Sequence, residues 1–411
     1  MENHVKPVWL DKTTPPHVVT LVAIAGIGAL SMNIFLPALP TMAKYFDAEY
    51  ALIQLAISAY LGVVAVLQII IGPLSDRFGR RPVLLGGFTI FVLATLGCVL
   101  APSVEILLAF RMLQAAVASG IVLSRAIVRD MVPPEKAASM IGYVTMGMSI
   151  MPMIGPAIGG VLNDAFGWHS SFTMLGGVGV VVLLLVYADL GETNAHKSAS
   201  FGAQFRAYPD LMRARRFWGY TLTASFASGA FFSFLGGAPF ISNQILGLSS
   251  AEMGGYFGIV ALGYMTGNFM SGRYSQRVGI NRMMLAGGVV ATLGALISFG
   301  LFELGILHPL SLFGPMFLVG AGNGLTLPNA NAGIVSVRPH LAGSASGLSG
   351  AITIGSGAGL SALSGALLTP ETGELPLFVV MIIVSLLAIL STWFVIRVSR
   401  EAEPLGKDGF G

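Results

Sequence analysis

Three polar residues inside apolar runs frame the chemistry open to this chain: Asn33, Arg111 and Gln114. A guanidinium in hydrocarbon costs at least ~2.5 kcal/mol, so Arg111 needs a polar partner, a water-filled cavity or a route to the surface. The run from Val104 to Val128 reads as one helix, which places Arg111 about 10 Å along it at ~1.5 Å per residue. Asn33 sits at a comparable depth, a turn before the end of the first run. Two readings follow. Either Arg111, Asn33 and Gln114 form a polar centre lining a cavity, or Arg111 snorkels back toward Glu105. Such a centre can hold the polar part of a small solute. It cannot pass a proton through Asn33, because an amide does not titrate near neutral pH. No acid falls near the middle of any apolar run.

A second constellation is Gly72-Pro73-Leu74-Ser75-Asp76-Arg77-Phe78-Gly79-Arg80-Arg81-Pro82. Three arginines and an aspartate crowd together in a chain that is only 10% charged. The cluster cannot lie in hydrocarbon, so it reads as a short loop at a membrane surface, with Gly72 and Gly79 turning the backbone. A third is Gly155-Pro156-Ala157-Ile158-Gly159-Gly160, where small residues four apart allow close helix approach and Pro156 bends the helix. Tyr60, Phe231 and Asn323 are weaker candidates for a cavity wall. The methionines Met146, Met148, Met151 and Met153 suit a pocket that repacks around varied apolar solutes.

These residues must be positioned by membrane helices. The chain has 411 residues, 55% of them hydrophobic, with a mean hydropathy of +0.80. At roughly 20 residues per crossing it holds about a dozen spans. Apolar runs predict six spans between Val18 and Ala188, a basic linker over 189–216, and six more between Phe217 and Ile396. The expected domains are an N-terminal segment 1–17, a six-helix bundle 18–188, the linker, a second bundle 217–398 and a tail 399–411. No cleavable signal peptide is expected, since the first seventeen residues are polar. In a twelve-span arrangement Lys6, Lys12, Arg77, Arg129, Lys136, Lys197, Arg206, Arg273, Arg338 and Arg400 share one side. The other side carries Lys44 and otherwise mostly acids: Asp47, Glu49, Glu105, Asp164, Glu252, Glu303, Glu371 and Glu374. The positive-inside rule then makes both termini and the linker cytoplasmic.

An internal repeat supports the same architecture. Gly272-Arg273-Tyr274-Ser275-Gln276-Arg277-Val278-Gly279 echoes Gly72 to Gly79 at an offset of 272 − 72 = 200, and Gly355 and Gly359 echo Gly155 and Gly159 at 355 − 155 = 200. The expected fold is all-α and integral to the membrane: twelve transmembrane helices in two parallel six-helix repeats, with solute bound between the halves. Gln276 stands where the first copy has Asp76, so only the first copy keeps its acid.

The Gly72–Arg81 stretch resembles the loop signature of the major facilitator superfamily. The resemblance implies a cytoplasmic gate loop of Gly72, Asp76, Arg77, Gly79, Arg80 and Arg81, with Asp130 pairing Arg77 or Arg80. It also implies that Asp76 meets the start of the eleventh helix near Gly343 when the transporter opens outward. The Gly155–Gly160 stretch resembles the signature of drug–proton antiporters in that superfamily. Leu30–Pro40, Arg111–Gln114, Arg125–Asp130 and Glu192-Thr193 resemble the Bcr/CflA group of bacterial drug exporters. That group implies export of small drug-like molecules in exchange for protons across the bacterial cytoplasmic membrane. It also carries an aspartate where Asn33 stands. A metabolite importer or exporter of the same fold is the alternative, and a channel is a further class. No nucleophile elbow, dinucleotide fingerprint or Walker loop occurs, so no enzyme, cofactor or ATP site is expected. The single Cys98 gives no metal cluster, and basic residues at the ends of apolar runs argue against nucleic acid as the partner.

Overall fold

A computed structural model describes residues 8–132, 134–194, 208–338 and 341–402, and among these the chain forms twelve long helices. Expectations for Lys6, Lys197 and Arg206, and for the side chains of Lys136, Met146, Met153 and Arg400, lie outside the described residues. The helices are α1 (Val18–Tyr45), α2 (Tyr50–Phe78), α3 (Arg80–Val99), α4 (Val104–Met131), α5 (Pro134–Phe166) and α6 (His169–Asp189). They continue as α7 (Arg215–Ile245), α8 (Ser250–Val278), α9 (Ile280–Glu303), α10 (Pro309–Val337), α11 (Ala342–Leu367) and α12 (Leu375–Ala402). Among the described residues, ten carry a stretch long and apolar enough to cross a membrane. The others, α5 and α8, have 33 and 29 residues and pack against each other.

Contacts sort the helices into two sets. In the first half α1 packs on α4, α5 and α6, and α3 on α4 and α6. In the second half α10 packs on α8 and α9, and α7 on α11 and α12. Two pairs dominate the seam between the halves, α2 with α11 and α5 with α8. Helix ends are fixed by polar caps. Ser249 and Glu252 form a capping box at the start of α8, and the Ser103 hydroxyl accepts the Ile106 amide at the start of α4. We call the end of the bundle bearing Arg77–Arg81 the basic end and the opposite one the far end.

The structure corrects the reading of the charged stretch. It is not a loop from Gly72 onward: α2 stays helical through Gly72, Pro73 and Asp76 to Phe78, and α3 starts at Arg80. Gly79 alone reverses the chain, at φ 107° and ψ 155°. One residue suffices because glycine adopts this conformation without a Cβ clash. The second copy turns the same way at Gly279, φ 88°. Interruptions instead fall within two spans. In α1 the α-helix stops at Asn33 and a tight turn over Leu36–Ala38, containing Pro37, precedes its last segment. In α4 a similar turn over Ala115–Val117 follows Gln114. Such mid-helix tightening often marks functional positions. Both interruptions border the cluster around Arg111.

Candidate functional site

Arg111 is buried, with 1% of its surface exposed, which excludes snorkelling to Glu105. Its Nε donates to Ala56 O at 3.1 Å on α2. Nη1 donates to Ser31 Oγ at 3.0 Å and to Gln114 Oε1 at 2.7 Å, and Nη2 donates to Ser31 O at 2.7 Å. The guanidinium lies between two rings, 4.3 Å from the Phe35 centroid and 4.0 Å from the Tyr60 centroid. Gln114 Nε2 passes the network on to Thr95 Oγ1 at 2.7 Å on α3. Ser31 sits in the last turn before α1 breaks, where carbonyls run out of amide partners, and a cation there also favours the helix dipole. Arg111 therefore ties α1, α2 and α4 together at the break.

Gln114 bonds Arg111, and the Tyr60 ring, expected only in a cavity wall, packs on it, but Asn33 does not bond Arg111. Its Nδ2 turns back to Ala29 O at 2.7 Å, and its buried Oδ1 has no partner among the described residues. Ser31 and Ala56 hold the guanidinium instead, through backbone oxygens that no motif displays. Phe231 is half-buried on α7 beside Phe232, with centroids 6.1 Å apart. Asn323 is buried on α10, and its Oδ1 has no partner among the described residues. No hydrogen bond or ring contact among the described residues joins either one to the Arg111 cluster.

The glycine motif of α5 fits between both halves. A Cβ on Gly155 would rest 3.5 Å from Asn33 Cβ, whereas one on Gly159 would overlap Ile34 O, so α5 presses on the break of α1. On the other side a Cβ on Gly160 would overlap Ser250 O, and one on Gly254 would overlap Pro156 O, so the same segment touches α8. The repeat does not carry this packing over. Gly355 faces Ala65 of α2 at 3.7 Å, and Gly359 has nothing within 4 Å.

Polar bonds close the seam at the far end. Tyr50 Oη donates to Gly236 O at 2.9 Å, and Gln54 Nε2 to Ser361 O and Oγ, each at 2.8 Å. Asn163 Nδ2 donates to Thr41 Oγ1 at 3.1 Å and to Ser250 Oγ at 2.9 Å, and Ser250 Oγ donates to Pro37 O at 2.8 Å. The Ala251 amide, in the first turn of α8, donates to Asp164 Oδ2 at 2.8 Å. A carboxylate facing a helix N-terminus is a favourable charge–dipole contact.

At the basic end Arg80 joins both acids of the cluster. It pairs with Asp76 and with Asp130, the latter at 3.1 Å from Nε. Arg81 bonds the carbonyls of Leu190 at 2.8 Å and Tyr187 at 3.0 Å. Among the described residues no hydrogen bond or ion pair joins Asp76 to the start of α11; the Arg129 guanidinium lies there, 3.3 Å from a Cβ built on Gly343. A strap follows α6. Glu192 Oε1 accepts the Arg80 amide at 2.9 Å, Thr193 Oγ1 donates to Asp130 at 3.2 Å, and Asn194 Nδ2 donates to Asp76 O at 3.1 Å. Asp189, fully buried, accepts the amides of Leu10 and His17 and the Thr20 hydroxyl, pinning the N-terminal segment. In that segment the Thr13 hydroxyl and amide hold the Asp11 carboxyl below its ordinary range. Among the described residues no group of three or more His, Cys, Asp or Glu could hold a metal ion.

The sequence pattern of the Major Facilitator Superfamily matches residues 21–362. The chain belongs to this superfamily. It is 31% identical to an uncharacterized MFS-type transporter, YdgK, of Bacillus subtilis, over 90% of this chain and 92% of that one. It is 32% identical to a chloramphenicol resistance protein of Pseudomonas aeruginosa over 77% and 76% of the two chains. It is 28% identical to multidrug resistance protein D of Escherichia coli over 94% and 97%. The fold is similar to a bacterial homolog of the human lysosomal transporter Spinster, solved inward-facing and unoccupied. That match has a TM-score of 0.69, 18% identity and coverage of 93% and 96%. In this superfamily member the Gly72–Arg81 stretch, Asp130 and the strap form one connected network at the basic end. The sequence missed Ser31, Thr95, Asn163, Ser250 and Asp189. Glu192-Thr193 was visible as a motif, and Asp164 only as one more far-side acid.

Proposed function

We propose that the chain is a secondary exporter of small drug-like molecules, of the Bcr/CflA kind, with proton entry as its driving force. It works by alternating access between two six-helix bundles, residues 18–188 and 217–398. It sits in the bacterial cytoplasmic membrane with the basic end, both termini and the linker on the cytoplasmic side, as the positive-inside rule requires. ATP and nucleic acid have no part in the reading, and no catalytic step is assigned. The observation that carries it is the seating of Gly155, Pro156, Gly159 and Gly160. This motif, which resembles that of antiporters, touches α1 beside Asn33 and α8 across the seam at once. A segment in contact with both halves is where solute binding and closure can be linked. The names of the relatives, resistance to chloramphenicol and to multiple drugs, favour drugs over metabolites.

Within this reading the closed far end corresponds to a state open toward the cytoplasm. Asp76 is then held by Arg80 in reserve, and reaches the start of α11 only when the basic end closes. Asn33, with its free Oδ1, Tyr60, Gln114, Phe231 and Asn323 border the solute path, while Arg111 braces it from behind Phe35 and Tyr60. The test is dye and chloramphenicol accumulation in cells lacking their main exporters. Expression of the chain lowers accumulation, and a protonophore restores it. Raised accumulation on expression would assign an importer instead.

A further inference from the structure

An apolar groove of about 430 Å³ lies outside the solute path, between α3 and α6, lined by Leu85, Thr89, Leu183, Leu184 and Tyr187. Its wall faces outward: Leu184 and Tyr187 are 61% and 60% exposed, and Leu93, Leu96 and Val181 on the same two helices are exposed as well. In a membrane protein such a face meets hydrocarbon, so a lipid chain fills the groove by default. Arg81, Leu85 and Thr89 recur every four residues and form one ridge of α3, about 12 Å long at ~1.5 Å per residue. Arg81 thus stands at the basic-end mouth of the groove.

That arginine is held in place. Nε and Nη2 are fixed on the carbonyls of Leu190 and Tyr187, and the guanidinium lies 5.5 Å from the Tyr187 ring centroid. Its Nη1 has no acceptor among the described residues. The nearby acids are turned elsewhere. Asp189 is occupied by Leu10, His17 and Thr20, and Glu192 by the amides of Arg80 and Asn194. A fixed cation over an apolar groove at a membrane surface matches a phosphodiester on an acyl chain. We propose that the α3–α6 groove binds one anionic phospholipid, with an acyl chain along Leu85, Thr89 and Leu184 and its phosphate on Arg81. The second half supplies an internal contrast: the repeat offset puts Asn281 where Arg81 stands, and Asn281 accepts from the Tyr220 hydroxyl at 3.3 Å.

Native mass spectrometry of the full chain in detergent, with phosphatidylglycerol, phosphatidylcholine or glycerol phosphate added, tests this. One phosphatidylglycerol should be retained over phosphatidylcholine by about fivefold, the ratio that ~1 kcal/mol per basic residue at a membrane surface gives. Glycerol phosphate alone should not be retained. Arg81→Gln should abolish the preference. Thr89→Trp, on an exposed surface where folding is undisturbed, should fill the groove and expel the lipid, so the decision stands even where Arg81→Gln fails to fold. Equal retention of the two lipids by the unaltered protein overturns the proposal. So does an undiminished preference in Thr89→Trp, and so does retention of glycerol phosphate, which would assign Arg81 to a free anion.

Discussion

Replacing Arg111 by lysine should destabilise the protein more than replacing it by methionine, against the usual ranking of conservative changes. The guanidinium makes four hydrogen bonds, to Ala56 O, Ser31 Oγ, Ser31 O and Gln114 Oε1, and stacks between Phe35 and Tyr60. Lysine keeps the buried charge but brings three donors on one atom in place of the planar fork. At least one charge-assisted bond is lost, at about 1.5–3 kcal/mol, together with part of the contact to both rings. The net loss is about 2–4 kcal/mol. Methionine strands Ser31 O and Gln114 Oε1 at ~1–3 kcal/mol each, but removes the several kcal/mol needed to desolvate an ion. Ala56 O keeps its helical amide partner. The two terms nearly cancel, leaving a loss of at most ~2 kcal/mol. Equilibrium unfolding in mixed micelles measures the order. Efflux assays give a second readout: because Arg111 sits behind two rings, both variants should slow all substrates alike. A lysine variant within ~1 kcal/mol of the unaltered protein, or a loss confined to one substrate, would refute the bracing role.

Three further outcomes are expected. Gly159→Ala should block folding or cost at least about 1–3 kcal/mol, because its Cβ overlaps Ile34 O, whereas Gly359→Ala, with nothing within 4 Å, should be neutral; expression level and thermal stability compare the two. Asp76→Asn should lower stability by under ~1 kcal/mol, since the Asp76 side chain is 42% exposed, yet cut transport sharply in vesicles; full activity would leave the basic-end latch without a role. Asn33→Asp should change the pH dependence of transport by adding a titrating group at that site, because a neutral carboxyl can donate to Ala29 O as the amide does and a carboxylate cannot; an unchanged pH profile would separate Asn33 from coupling.

The helices were legible because span length and charge placement report the bilayer directly, with no need to know who packs on whom. The turn at Gly79 was legible, but the continuation of α2 through Gly72 and Pro73 was not. Both residues read as breakers, and only the surrounding packing keeps them helical. Arg111 stood out as a charge in an apolar run, and Gln114, three residues on, follows from helical spacing. Its other partners did not, since the carbonyls of Ser31 and Ala56 carry no side-chain signature. Asn33 illustrates the opposite failure. It lies at the right depth, but the break of α1 turns its amide along its own helix. Gln54 and Ser361 meet across 307 residues, a distance over which spacing carries no information.

The two ends of the molecule use one device with different consequences. At the basic end Glu192, on the strap after α6, caps the first amide of α3 without crossing to the second half, so the contact can persist through the cycle. At the far end Asp164 caps the first turn of α8 from the opposite half, so this contact must break for the far end to open. Its companions at that seam, Tyr50–Gly236, Gln54–Ser361, Asn163–Ser250 and Ser250–Pro37, are all neutral pairs worth about 1 kcal/mol each. Among the described residues of the far-end seam, Asp164 is therefore the one charged participant. The far-end seam is weak enough, contact by contact, to be opened by modest differential binding, and the glycine motif of α5 packs on both α1 and α8 beside it.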